Sequence, residues 1–222
     1  MKLALFDLDH TLLPLDSDYS WGQFTVDIGW RDAQTHTRAN DAFYEQYKAG
    51  TLDIEEYIRF SVAPLAEHGV AKSDAAHRRF MDEVILPAMR PEAIELVFRH
   101  QAAGDQVVIV TATNEFVTRP IAQAFGVPEL IAIELERDAA GNPTGGIRGT
   151  PSFREGKVAR VEQWLAARGL SWADVTHSCF YSDSINDLPL LEKVTEPVAT
   201  NPDPRLSAIA TERGWRILNL FE

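Results

Sequence analysis

The sequence predicts an α/β fold, a parallel sheet between layers of helices, and three observations carry the prediction. Short apolar runs, Leu3-Ala4-Leu5-Phe6, Val107-Val108-Ile109-Val110 and Cys179-Phe180-Tyr181, lack the alternation of a half-exposed strand and read as strands buried on both faces. Stretches of helical periodicity alternate with them, as strand-helix-strand units require. Polar residues that can bind ligands follow the runs directly: Asp7 and Asp9 after the first, Thr111 after the second, Asp183 after the last. Those positions lie at the carboxyl edge of the sheet, where open α/β sheets hold their ligands.

The first strand ends in Asp7-Leu8-Asp9-His10-Thr11-Leu12. From about Ser17 to Leu86 the pattern is helical, with Phe43 and Tyr47 four apart and Ile54, Tyr57, Ile58 and Val62 on one face. Gly50 marks a helix end. Asp53 reads as the N-cap of the helix that follows, and Ser73 as the N-cap of one running towards Met81. The aromatics of this block (Trp21, Phe24, Trp30, Tyr44, Phe60) fall at helical spacing and are expected in its core. Pro91 opens a helix that Gly104 closes. The strand 106–110 runs into Thr111-Ala112-Thr113-Asn114, and a helix follows to Phe125, stopped by Gly126. Residues 130–135 form the third strand. Gly141-Asn142-Pro143 and Gly145-Gly146 then suggest an antiparallel hairpin. A helix spans 154–168, with Val158, Val161 and Leu165 on one face. The strand 179–182 ends at Asp183. Two short strands, 196–199 and 215–218, flank a helix over 204–213.

Length and composition narrow the function. A chain of 222 residues holds one large domain, or a core with a small insert. Its net charge of −12, from 33 acids against 21 Lys+Arg, supplies no general field for nucleic acid or an anionic membrane. An anionic ligand therefore needs local positive charge. The single cysteine, Cys179, excludes an intramolecular disulfide and sits in an apolar run, as a small buried side chain would. No apolar stretch reaches the length of a membrane span and Asp7 interrupts the first one, so the expected setting is the cytoplasm. Asp7 and Asp9, two residues apart beyond a buried strand, repel each other unless a cation, a proton or solvent intervenes. A cation there suggests Mg²⁺ and a phosphate.

Four features then stand in one order: Asp7-x-Asp9-x-Thr11, Thr111 after an apolar strand, Lys157 opening a helix, and Asp183-Ser184-Ile185-Asn186-Asp187 after another strand. This set resembles the haloacid dehalogenase superfamily, and the helical insert resembles the cap of its phosphoserine-phosphatase-like subfamily. The resemblance implies a Rossmann-like core over residues 1–13 and 88–222 with an all-helical cap inserted over residues 14–87. It also implies a Mg²⁺-dependent phosphatase of small phosphorylated metabolites. Asp7 would be the nucleophile, forming an aspartyl phosphate. Asp9 would protonate the leaving oxygen and then take a proton from water. Thr111 and the backbone of Ala112, together with Lys157, would hold the phosphate. Asp7, Asp9 (through its carbonyl) and Asp183 would bind Mg²⁺. Asp187 would hold Asp183 or its waters in place, and Asn186 would order the same loop. The same residues would serve a phosphotransferase, and a non-catalytic phospho-ligand module would keep the fold without needing both nucleophile and acid.

Specificity would come from the cap. Asp16 and Asp18 follow the first motif and suit a substrate carrying an amine, and Asp16 stands near the position of the cap glutamate that, with a cap arginine, grips the amino acid in phosphoserine phosphatases. Ser61 falls where those enzymes carry a carboxylate-binding arginine, leaving Arg59 as a possible substitute. An acidic cap without that arginine would fit histidinol phosphate, which has an amine and no carboxylate. The six histidines show no metal-binding spacing. His10 lies at a variable position of the first motif.

Overall fold

The computed structural model describes residues 1–221; Glu222, the last residue of the expected core range, lies outside them. The chain begins with β1 (Lys2–Phe6). Next come α1 (Ser17–Asp27), α2 (Ala33–Ala49), α3 (Ile54–His68) and α4 (Val70–Phe80), a π-helical stretch over Met81–Ile85, and α5 (Leu86–Ala88). The rest alternates: α6 (Pro91–Ala102), β2 (Gln106–Asn114), α7 (Glu115–Ala124), β3 (Leu130–Ile133), β4 (Leu135–Arg137), β5 (Pro143–Ile147), α8 (Glu155–Ala166), β6 (His177–Ser182), α9 (Leu188–Leu191), β7 (Glu196–Thr200), α10 (Pro204–Arg213) and β8 (Arg216–Leu218). Six strands form one sheet in the order β3-β2-β1-β6-β7-β8, with all pairings parallel. β1 therefore lies inside the sheet, with β2 on one side and β6 on the other. The chain goes out to one edge and then returns to fill the other, which makes the crevice at the carboxyl end of β1 the switch point of the topology.

The apolar runs bury both faces, as their lack of alternation predicts. Ala4, Phe6, Val107, Ile109, Cys179 and Tyr181 pack into one core cluster; Leu3, Leu5, Val108, Val110 and Phe180 pack into the other, against Val161, Leu165, Leu190 and Leu206 of the helices. Successive side chains of a strand point to opposite faces, so each strand feeds both clusters. The first cluster continues into the helical segment through Leu8, Leu12, Trp21, Phe24 and Phe80, a contiguous apolar mass from sheet to inserted helices. Trp21 is the hinge of this packing, with ring centroids 5.4 Å from His77 and Phe80 and 5.6 Å from Phe116 of α7.

Several expectations are revised. The third strand breaks at Glu134, whose carboxylate takes Arg148 (2.6 Å) and Arg160 (2.5 Å); Leu135 beyond it pairs with Ile147 in the antiparallel β4–β5 hairpin. β2 is longer than the run that predicts it and carries Thr111–Asn114 within the strand. Ser73 is not a cap. Its helix begins at Val70, after Gly69 at φ 75°, and Ser73 lies buried inside the helix. The caps at Asp53 and Gly50 stand as expected: Asp53 accepts from Glu55 and Glu56 N–H (3.0 and 3.1 Å), and Gly50 adopts the left-handed conformation that its missing side chain permits.

Candidate active site

The ladder of β1 continues one residue beyond the strand, with Asp7 N–H donating to the Tyr181 carbonyl (2.9 Å), so Asp7 is fixed by the sheet itself. Its carboxylate is buried. Oδ1 accepts from Lys157 Nζ at 2.7 Å, and the same ammonium donates to Asp187 Oδ2, also at 2.7 Å. Ser182, the last residue of β6, donates to that Asp187 oxygen at 2.7 Å. Asp187 occupies the N-cap position of α9 but makes no capping bond there; its carboxylate is used by Lys157 and Ser182. Lys157, 2% exposed, is among the largest fully buried side chains of the molecule. Burial by itself would lower its ammonium, and the Asp187 and Asp7 carboxylates reverse this and hold it above the usual lysine value. Gly156 makes this placement possible: a Cβ there would meet the Pro151 carbonyl oxygen far inside contact distance, in the first turn of the helix that carries Lys157.

Thr11 joins the two strand-end acids. Its hydroxyl lies 3.3 Å from Asp7 Oδ2 and 3.3 Å from Asp183 Oδ1, and it accepts from Asp183 N–H at 3.1 Å. Burial, followed by the charges of Asp7 and Asp187, pushes the Asp183 carboxyl well above its usual range. Burial likewise raises Asp7 even against Lys157. Two desolvated carboxylates close to one hydroxyl are a set of hard oxygen donors short of positive charge. Among the described residues no three His, Cys, Asp or Glu side chains form a ready-made metal cage. Two carboxylates with a backbone carbonyl match an ion that keeps several waters and takes phosphate oxygens, which is the habit of Mg²⁺.

Asp9 lies on the other side of Asp7, held by Ser17 N–H (2.8 Å) and the Thr113 hydroxyl (2.8 Å). Burial, then the charge of Asp16, pushes it up to about 6 against those two bonds. Thr111 and Ala112 line the same cavity; Thr111 Oγ1 accepts from Thr113 N–H (3.1 Å), and its carbonyl accepts from Ser152 (2.6 Å). Asp16 caps α1, accepting from Tyr19 N–H (2.8 Å), and Asp18 sits in the first turn; both line the cavity. Asn186 reaches away from its own loop and donates to the Tyr47 carbonyl of α2 (3.0 Å). Arg59 is placed elsewhere. It is exposed on α3, 3.9 Å from Glu55, with its aliphatic part against Gly145 of the hairpin, and it is not part of the cavity wall.

A profile of the haloacid dehalogenase-like hydrolases matches residues 4–192. The chain belongs to that family. A relative in Neisseria meningitidis named histidinol-phosphatase is 45% identical over 218 residues, covering 98% of both chains. The crystal structure of a protein of unknown function from Bordetella pertussis superposes with a TM-score of 0.94 at 52% identity, covering 99% of each chain. A substrate-bound phosphoserine phosphatase complex shares the fold, with a TM-score of 0.68 at 19% identity over 98% of this chain and 92% of that one.

Sequence reasoning missed the far wall of this hydrolase's cavity. Asn40, Tyr44 and Tyr47 of α2 line it, with Tyr57 of α3 and Phe153 before α8. Tyr44, expected in the helical core, faces the cavity instead. The signal was present in the spacing: Asn40, Tyr44 and Tyr47 are i, i+4 and i+7, one stripe of α2 in which every member carries a polar atom. His10 also lines the cavity, in the left-handed conformation (φ 56°) and with Nε2 unpartnered. Cys179 is buried, and burial pushes its thiol up to about 12, the state of an inert side chain.

Proposed function

We propose that this hydrolase is a Mg²⁺-dependent phosphomonoesterase that works through Asp7, and that its substrate carries an amine and no carboxylate, histidinol phosphate being the first candidate. The observation that supports the chemistry is the buried arrangement around Asp7: a lysine neutralising it on one side, Thr11 linking it to Asp183 on another, and a second carboxyl, Asp9, lining the same cavity. The helical segment over residues 14–87 acts as the cap that closes over it.

The substrate phosphate enters beside Thr111 and Ala112, whose hydroxyl and backbone N–H donate to its oxygens. Asp7 attacks phosphorus; the phosphorus–oxygen bond to the leaving group breaks as Asp9 delivers its proton to that oxygen, and an aspartyl phosphate remains. A carboxyl poised at about 6 is protonated in roughly one molecule in ten at pH 7, which keeps it competent both to give and to take a proton. Asp9 then removes a proton from water as the water attacks phosphorus, and Asp7 is released. Lys157 stays charged throughout and offsets the nucleophile's charge. Mg²⁺, held by Asp7, the Asp9 carbonyl and Asp183, would supply positive charge against the phosphate oxygens. Asp187 keeps Lys157 pointed at Asp7. A lone, buried Cys179 suits a reducing cytoplasm.

The substrate assignment draws on the cap. Asp9, Asp16 and Asp18 give the leaving-group side of the cavity an acidic wall, which suits an ammonium, and no Lys or Arg is among its described lining residues. The name of the Neisseria relative, histidinol-phosphatase, points the same way. Phosphate release with Mg²⁺ is the test, on histidinol phosphate, phosphoserine, sugar phosphates and nucleotides. The wild type should prefer histidinol phosphate, and Asp7→Asn should lower kcat by about three orders of magnitude or more, as loss of a covalent nucleophile does. Full activity in Asp7→Asn would remove the nucleophile assignment; transfer of phosphate to added alcohols in place of water would favour the phosphotransferase reading.

A further inference from the structure

Contacts along the carboxyl end of β2 run in sequence order. Thr111 and Ala112 line the phosphate end, Thr113 donates to Asp9 at 2.8 Å, and the next residue, Asn114, donates to Asp18 Oδ1 at 3.3 Å. Asp18 thus lies beyond the general acid as seen from the phosphate, on the side that receives the leaving group. It is 4% exposed, and its second oxygen, Oδ2, makes no well-formed hydrogen bond, the Tyr57 hydroxyl being the donor that stands near the carboxylate. A buried carboxylate oxygen without a well-formed bond is rare in a folded protein and calls for an explanation. Asn114 donates to Oδ1, while its side-chain carbonyl oxygen caps α7, accepting from Phe116 and Val117 N–H at 3.1 and 3.2 Å. Tyr44, Leu52, Ile54, Tyr57 and Phe153 line the same cavity, aromatic and aliphatic groups with two phenol hydroxyls among them.

We propose that Asp18 is a specificity-determining residue whose Oδ2 accepts a hydrogen bond from a second nitrogen of the substrate, an N–H on a flat group bounded by the cavity's aromatic side chains, separate from the amine that Asp16 takes. This deepens the reading above and rests on it. The substrate class becomes the phosphate ester of an amino alcohol that also bears a nitrogen heterocycle. Such a donor completes the hydrogen bonding of a carboxylate that the fold leaves half satisfied. Burial, then the charge of Asp16, pushes Asp18 up to about 7, so a donor arriving at Oδ2 also holds it ionised. A pocket built around a buried acceptor rejects an analogue that lacks the donor far more strongly than an apolar pocket rejects a missing methylene.

The test compares histidinol phosphate with phenylalaninol phosphate, which keeps the phosphate, the amine and a flat ring but has no ring N–H. With Mg²⁺ the wild type should favour histidinol phosphate at least fiftyfold in kcat/KM, mainly through KM. Asp18→Asn and Asp18→Leu should both shrink that preference at least tenfold, by raising KM for histidinol phosphate. A preference unchanged in both variants overturns the proposal, as does a wild type that treats the two esters alike. Calorimetric titration of the folded wild type with the product alcohols gives a second readout that needs no turnover. Tighter binding of histidinol than of phenylalaninol supports the role of Asp18, and equal binding overturns it. If neither ester is hydrolysed, the phosphatase reading falls, and the alcohol pair still decides for or against Asp18.

Discussion

Asp183 shows how a site residue can work against the fold that holds it. Its carboxyl is raised by burial, then by Asp7 and Asp187, so its folded value lies above the unfolded one. The sign follows: a raised carboxyl contributes stability only below its unfolded value near 3.8, and loses it as pH rises through the folded value. Above its unfolded value the raised carboxyl therefore costs stability in the metal-free protein. Asp183→Asn should raise Tm without divalent ions, by about 2–4 °C for each kcal/mol recovered in a chain of this size, while abolishing phosphate release. Added Mg²⁺ should raise the Tm of the wild type and leave that of the variant unmoved. Differential scanning calorimetry with and without Mg²⁺ reads both; a variant that melts below the metal-free wild type would contradict the account. At this scale Asp7, Asp9, Lys157 and Asp183 were legible because each follows or opens an element whose apolar pattern is unmistakable.

Among the elements, α2 governs the cavity. Its last carbonyls are gripped from the sheet side by three donors: Asn186 to Tyr47 (3.0 Å), Arg205 to Lys48 (2.5 Å) and Arg154 to Gly50. A helix C-terminus leaves its final carbonyls unpaired, so they are natural handles for another part of the chain. The grip holds Asn40, Tyr44 and Tyr47 against the cavity and ties them to the Asp183–Asp187 loop. Asn186→Ala should loosen it. Amide exchange across residues 33–49 should quicken, and KM for the preferred ester should rise severalfold with a smaller change in kcat. Exchange mass spectrometry beside steady-state kinetics checks this, and unaltered protection of α2 would refute it. The helix ends were readable from Gly50 and Asp53, whereas the partners of α2 were not. Asn186 lies 139 residues from Tyr47, and no local pattern encodes such a pairing.

Across the whole molecule, the helical segment is bonded to the core helix α7 through a buried neutral histidine. His77 of α4 hydrogen-bonds the Val117 carbonyl of α7 (3.0 Å) and packs edge-on to Phe116. Burial outweighs that bond and pushes it from the usual 6.5 down to about 4. Its folded value is depressed, so the unfolded chain takes up the proton first as the solution is acidified. The contribution is present above pH 6.5 and is lost progressively as pH falls towards 4. Denaturant titrations between pH 7 and 4 should show falling stability with a slope that His77→Gln reduces by about one proton. An identical slope in the variant would show that His77 takes no part.

Sequence alone determined the parallel α/β core, the helical insert and the acids and lysine of the reacting end, because strand burial, helix periodicity and motif spacing are local properties of the chain. Family membership was equally legible in those motifs. Only the tertiary structure decided the far wall of the cavity. It turned Tyr44 from core to cavity, moved Arg59 out to the hairpin and left one oxygen of Asp18 without a well-formed hydrogen bond. The physical reason is that periodicity tells which residues share a face of a helix, but not what that face meets. Whether the stripe Asn40-Tyr44-Tyr47 covers a core or a cavity depends on how α2 is fastened over the sheet, and its fastenings come from residues more than a hundred positions away.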